Sequence, residues 1–144
     1  MTMRSMFLLI AVVLLGGCAA MEQADDDMHR VVIQVSTDDA RTQKIAINNA
    51  VNIQRALGAG NVQIEVVAYG PGLSILTGKS KQAVRIKSLA VDDDFQFSAC
   101  SNTMRKVKKK KGKLPKLVEG VVVVPAGVTR IMELQEQGYS YLRP

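Results

Sequence analysis

The sequence predicts an α/β domain: a mainly parallel sheet of about five strands covered by helices. Three observations carry that expectation. Short runs rich in β-branched or alternating apolar residues recur along the chain, as buried strands do. Stretches with helical spacing of apolar residues lie between them. Breakers stand at the joints: Gly58-Ala59-Gly60, Gly70-Pro71-Gly72 and Pro125-Ala126-Gly127. Strands separated by helices imply a parallel sheet covered by helices. At 144 residues the chain is long enough for one domain with a real core. Aromatics make up 4% and Trp is absent, so that core must be aliphatic.

The chain opens on a leader. Met1–Arg4 carries one positive charge, and Met6–Leu15 is a continuous apolar run. The run is short for a bilayer span and suits the core of an export signal. It ends in Leu15-Gly16-Gly17-Cys18, which resembles the lipobox of bacterial lipoproteins. Residues 1–17 then form the signal, and Cys18 takes the lipid. Ordinary cleavage after Cys18-Ala19-Ala20 is the alternative. Ala19 follows the cysteine where Asp does not, and by the same resemblance this implies sorting to the outer membrane. The expected location is therefore the periplasm, with a lipid anchor. Residues 18–29, containing Asp25-Asp26-Asp27, read as an acidic tether with no core-forming pattern.

The body, residues 30–144, alternates strand and helix. Arg30–Ser36 (RVVIQVS) reads as the first strand. Thr37, Asp38 and Asp39 offer a helix cap, and Ala46, Ala50, Ile53 and Leu57 recur at helical spacing. Asn48 and Asn52 lie on another face of that helix. Asn61–Tyr69 (NVQIEVVAY) is a second strand, and a helix is expected from about Leu73 to Val91, either interrupted at Gly78 or divided in two there. Phe95 and Phe97 alternate with polar residues in a third strand. A helix starts at Ser101-Asn102-Thr103. Val121–Val124 is a fourth strand. A fourth helix runs through Ile131, Met132 and Gln135 to Gly138, and Tyr139–Leu142 forms a short edge strand.

Cys100 stands where the third strand hands over to a helix. Unpaired N–H groups and the helix dipole at such a point favour a negative charge. They can draw a thiol well below its usual pKa of about 8.5. Arg105 and Lys106, one turn on, add positive charge. The competing reading is a small buried hydrophobe that ends a strand. With Cys18 claimed by the leader, Cys100 is the one thiol of the mature chain, and no internal disulfide can form. Open parallel sheets bind ligands outside the carboxyl ends of their strands. The turns expected on that edge contribute a candidate pocket: Thr37, Asp38, Tyr69, Gly70, Ser101, Asn102, Pro125 and Gly127. Tyr69 either lies beside Cys100 or simply ends its strand.

Other constellations carry less chemistry. The formal net charge is +6, and much of the excess lies in Arg105–Lys116 (RKVKKKKGKLPK). This run is a solvated helix end, or a surface drawn to anionic lipid or cell-wall polymers. Nucleic acid is disfavoured, because no aromatic residues interleave the lysines for base stacking. His29 is the single histidine and falls in the tether, away from Cys100. Asp92-Asp93-Asp94 reads as a turn before the third strand, with a metal site as the lesser alternative. No Cys/His metal cluster and no dinucleotide fingerprint is present, so no cofactor is expected.

The stretches KIAINNAVNIQRALG, EVVAYGPG, FSACSNTM and EGVVVVPAGVTRIMELQEQGYSYLRP together resemble the DsrE/DsrF-like family, over about Arg30–Pro144. The pattern is most similar to a small exported branch of it. The resemblance implies a three-layer α/β/α, Rossmann-like domain that assembles into homo-oligomers, trimers or hexamers. It also implies a sulfur-relay role in which the cysteine after the third strand, Cys100 here, carries sulfur as a persulfide between a donor and an acceptor protein. Relay members work in the cytoplasm, whereas this chain carries an export signal. Three function classes follow: a thiol-based sulfur carrier or redox protein, a non-catalytic small-ligand-binding module, and a structural oligomer tethered to the outer membrane.

Overall fold

The computed structural model describes residues 28–93 and 95–144. The expected leader, Cys18 and most of the acidic tether lie outside the described residues, as does Asp94 of the aspartate triplet.

Five strands form one sheet: β1 (His29–Val35), β2 (Val62–Ala68), β3 (Gln96–Cys100), β4 (Val122–Val124) and β5 (Ser140–Leu142). Their order is β4-β3-β2-β1-β5, and every pairing is parallel. β1 opens at His29, which pairs with Val62, so the strand takes in a residue the sequence assigns to the tether. The first three crossovers step in one direction. They place α1 (Ala40–Leu57), α2 (Ala83–Asp92) and α3 (Ser101–Lys111) on one face. Then α4 (Gly127–Glu136) carries the chain back across the other face, from β4 to β5 at the far edge.

The two-residue period of the strands divides the core. Ile33, Val35, Ile64, Val66, Phe97 and Ala99 face the three-helix layer, against Ala46, Ile47, Ala50, Ile86 and Leu89. Val32 and Val67 face Ile131 and Leu134 of α4. Each large aliphatic or aromatic side chain buried this way contributes about 1.5–3 kcal/mol. Asp39 caps α1 by accepting the Thr42 N–H at 2.7 Å. That bond and the Thr42 hydroxyl hold its carboxyl below the usual value. Asn48, on the polar side of α1, accepts a 2.7 Å hydrogen bond from Arg85 and so ties α1 to α2.

The expected helix from Leu73 to Val91 is two elements. Gly70–Leu76 is a 3-10 run, and α2 begins only at Ala83. Close packing against β1 explains the first part. A Cβ on Gly72 would stand 2.1 Å from the Val35 carbonyl oxygen, so the backbone lies directly on the strand end. Backbone hydrogen bonds explain the break. Val118 N–H donates to Leu76 O at 2.9 Å and Gly78 N–H to Lys116 O at 3.1 Å. Thr77 and Leu117 form an antiparallel bridge. Groups committed to residues 116–118 cannot continue a helix. The valine run is also shorter as a strand than expected: it pairs only over Val122–Val124, at an open edge, with Val122 and Val123 exposed.

Candidate functional site

Cys100 is both the last residue of β3 and the N-cap of α3, with no loop between them. Its backbone is extended (φ −70°, ψ 114°), so the residue still belongs to the strand while its carbonyl starts the helix. The parallel sheet puts it at the carboxyl edge, level with Val124 of β4. The thiol is free and the residue is 5% exposed.

Two opposing influences act on that sulfur. Burial pushes the thiol pKa up. Against it stand the Thr103 hydroxyl, then the backbone N–H groups of Gly127, Thr103 and Asn102, and together these leave the pKa below its ordinary value. Asn102 and Thr103 belong to the first turn of α3, and Gly127 opens α4. Two helix N-termini therefore converge on one sulfur, each with N–H groups that have no partner within the helix and with the positive end of a dipole.

The Thr103 hydroxyl is oriented by its own partner. Gly70 N–H donates to Thr103 Oγ1 at 2.9 Å. With an acceptor site filled, the hydroxyl proton is free to point at the sulfur. The sequence reading treats Thr103 only as a helix starter. Its position is nevertheless a signal. Counting Cys100 as the cap, Thr103 is the third helical residue, the one whose side chain reaches back to the cap in a capping box.

Arg105 does not act as the sequence suggests. Its guanidinium folds back onto the outside of α3, donating to Ser101 Oγ at 2.9 Å and to Asn102 Oδ1. Lys106 is exposed. Backbone N–H groups and one hydroxyl, not these cations, lower the thiol pKa.

The carboxyl edge gathers most of the candidate pocket. Pro125 O accepts the Asn102 N–H at 3.4 Å, tying the start of α3 to the turn before α4. A Cβ on Gly127 would stand 3.0 Å from Cβ and Cδ1 of Tyr69, so Tyr69 packs on the residue whose N–H faces Cys100. Tyr69 thus borders the site. Burial raises its pKa, with the charges of Tyr141 and Cys100 adding to the rise and Arg143 opposing it. Thr37 and Asp38 lie apart, at the end of β1, with β2 between them and Cys100. Thr37 is engaged in the α1 entry: its carbonyl accepts from Gln43 Nε2 at 2.9 Å and its hydroxyl from Asp39 N–H at 3.2 Å. It lines a separate cavity of about 220 Å3 together with Gln34, Thr42 and Arg143. A basic cavity of about 380 Å3, lined by Asn102, Arg105, Lys106 and Lys109, flanks the first turns of α3.

Behind the thiol, on the α4 face of the sheet, lies a polar group that the sequence reading missed. Glu65 of β2 is 2% exposed. Arg130 of α4 grips its carboxylate with two bonds, Nε to Oε1 at 2.8 Å and Nη2 to Oε2 at 2.7 Å. Ser98 Oγ donates to the same Oε1 at 2.5 Å. The clue in the sequence is the charge inside the apolar run Val62–Ala68.

Other features sit away from the thiol. His29 starts β1, and in a parallel sheet that places it at the edge opposite Cys100. Lys108–Lys111 form the exposed last turn of α3, where cations are favourable to the helix dipole. Among the described residues, no group of three or more His, Cys, Asp or Glu could hold a metal, and no helix is long and apolar enough to cross a membrane.

No curated protein matches the chain. Among solved structures, it is similar to a protein of unknown function, MTH1491, from Methanobacterium thermoautotrophicum. The two share 35% identity with a TM-score of 0.71, over 81% of this chain and 99% of that one. The model of the DsrE/DsrF-like family matches residues 29–144, the whole of the described sheet and its helices. On this match, the chain belongs to the DsrE/DsrF-like family.

Proposed function

We propose that this protein is a sulfur carrier whose working group is the Cys100 thiolate, and that it acts in the periplasm, tethered to the outer membrane through lipid on Cys18. One observation carries the chemical part: the free Cys100 thiol sits at the carboxyl edge of the sheet as the N-cap of α3, where the Thr103 hydroxyl and the N–H groups of Gly127, Thr103 and Asn102 draw its pKa down. Family membership supports a sulfur-relay-related role. In the loading step, Cys100 thiolate attacks the outer sulfur of a donor persulfide. A sulfur–sulfur bond forms to Cys100, the donor's own sulfur–sulfur bond breaks, and the donor leaves as a thiolate. In the release step, an acceptor thiolate attacks the outer sulfur and Cys100 leaves. No net oxidation occurs in either step. The carrier works as a homo-oligomer, a trimer or hexamer, which light scattering tests directly.

The decisive experiment exposes the native protein to polysulfide and follows the Cys100 peptide by mass spectrometry. Addition of one sulfur to that peptide, removable by dithiothreitol and absent in Cys100→Ser, is the expected result. A Cys100 that reacts only after denaturation overturns the carrier reading. The 5% exposure of Cys100 favours the second reading in that event, a ligand-binding or structural oligomeric module with an inert thiol.

A further inference from the structure

We infer that Glu65, Ser98 and Arg130 are positioning residues for Cys100, and that the buried carboxylate holds the N-terminus of α4 in register with the sulfur. The inference rests on the reading of Cys100 as a reactive thiolate. Its evidence is the way one carboxylate joins the two elements that must meet at the thiol.

The sulfur belongs to β3, and Gly127, whose backbone N–H helps to lower the thiol pKa, opens α4. Ser98 lies two residues before Cys100, on the same face of β3, and donates to Glu65 Oε1. Arg130 lies three residues after Gly127, within the first turn of α4, and donates to both Glu65 oxygens. The carboxylate therefore grips the strand that carries the sulfur and the helix that carries the donor. Arg130 also fixes the donor through its own backbone. Its N–H donates to Ala126 O at 3.0 Å. That oxygen and the Gly127 N–H are opposite ends of one planar peptide, so holding one end sets the direction of the other. Gly127 itself lies close against Tyr69, where a Cβ would stand 3.0 Å from the side chain, which limits lateral drift.

Stability alone does not call for this arrangement. A buried ion pair of this kind is commonly replaced by apolar residues without loss of stability. A bidentate guanidinium–carboxylate pair adds fixed geometry, which apolar contacts supply less sharply. The guanidinium of Arg130 is engaged by the carboxylates of Glu65 and Glu133, so its role is to position rather than to react.

The test reads the pH–rate profile for iodoacetamide alkylation of Cys100 in the native full-length protein. The Cys100 peptide is resolved from the Cys18 peptide by mass spectrometry. Arg130→Lys keeps the charge and loses the fork. The double variant Glu65→Leu/Arg130→Met removes both charges and keeps the volume, so that the fold survives if the single change does not. Both are expected to move the profile to higher pH and to lower the alkylation rate at neutral pH severalfold. That is less than the roughly tenfold or more that complete loss of a donation to an anion would cost, because the Gly127 N–H is misdirected rather than removed. Folded variants that keep the wild-type profile overturn the inference and leave the carrier reading standing. A wild-type profile no different from that of a free thiol overturns both.

Discussion

Thr103→Val isolates the strongest single influence that lowers the thiol pKa. Valine has nearly the same shape as threonine, so the core around Met104 should be undisturbed. The substitution exchanges a hydroxyl for a methyl with two consequences. The sulfur loses its side-chain donor, and a hydrogen bond to a charged group is worth about 1.5–3 kcal/mol. At 1.36 kcal/mol per factor of ten, the thiolate population below the wild-type pKa falls about tenfold or more. Gly70 N–H also loses its acceptor at Thr103 Oγ1. Gly70 is half-buried, and water can replace part of that bond, so the global stability loss is about 1 kcal/mol. Alkylation of Cys100 across pH measures the first effect, and urea unfolding measures the second. Thr103→Ser keeps the hydroxyl and should restore both. If Thr103→Val loses stability but alkylates with the wild-type pH profile, the hydroxyl only braces the Gly70 turn, and its assigned role at the sulfur is wrong.

Two further outcomes follow from the same geometry, and a third from the leader sequence. Gly72→Ala places a methyl 2.1 Å from the Val35 carbonyl oxygen, backbone against backbone, so unfolding in urea should show a loss of roughly 2 kcal/mol or more. A midpoint unchanged from wild type would contradict the close approach of the 3-10 run to β1. The Cys100 thiol has a folded pKa below its unfolded value of about 8.5. Its contribution to stability is complete above the unfolded pKa and is lost as pH falls through the folded one. The stability difference between wild type and Cys100→Ser should therefore grow with pH in that window, and a flat difference counts against a native thiolate. Finally, Cys18→Ser should release the protein from membranes or stall its processing. Unchanged fractionation and unchanged mass would remove the lipid anchor from the proposal.

The central strands β1 and β2 are legible because they are buried on both faces or close to it. Val32, Ile33, Val66 and Val67 are all fully buried, and only a run of β-branched residues fills such positions. The place of Cys100 was legible for a local reason, since strand alternation stops and cap-forming residues begin within a few positions. What failed to read was non-local. Nothing near Leu73 announces that residues 116–118 will take the backbone bonds of Leu76 and Gly78. Glu65 looks like a polar position on a strand until Arg130, 65 residues later, is seen to reach it. Gly127 was picked as a turn residue, and only the fold shows that its N–H belongs to the thiol. Arg105 misled for the opposite reason: its charge is close in sequence, but its side chain is engaged by Ser101 and Asn102.

The balance of forces at Cys100 also bears on which half of a sulfur relay it favours. A lowered pKa makes more thiolate, but each thiolate is a weaker nucleophile, with reactivity falling by about 0.4–0.5 log units per pKa unit. The same lowered pKa makes a better leaving group. In the proposed cycle Cys100 is the nucleophile during loading and the leaving group during release. Donors fixed by two helices and Thr103 therefore favour release, and burial of the thiol limits loading further. Thr103→Val makes the asymmetry measurable. At a pH above both thiol pKa values every Cys100 is ionised, and the population effect disappears. Under those conditions the variant should load from a small persulfide about threefold faster per tenfold change in basicity, and release to a small thiol more slowly. Stopped-flow rates for the two half-reactions, measured separately, decide the matter. If both rates fall together, the hydroxyl supports access or fold rather than the charge on sulfur, and the assignment of Cys100 as a carrier tuned for release is refuted.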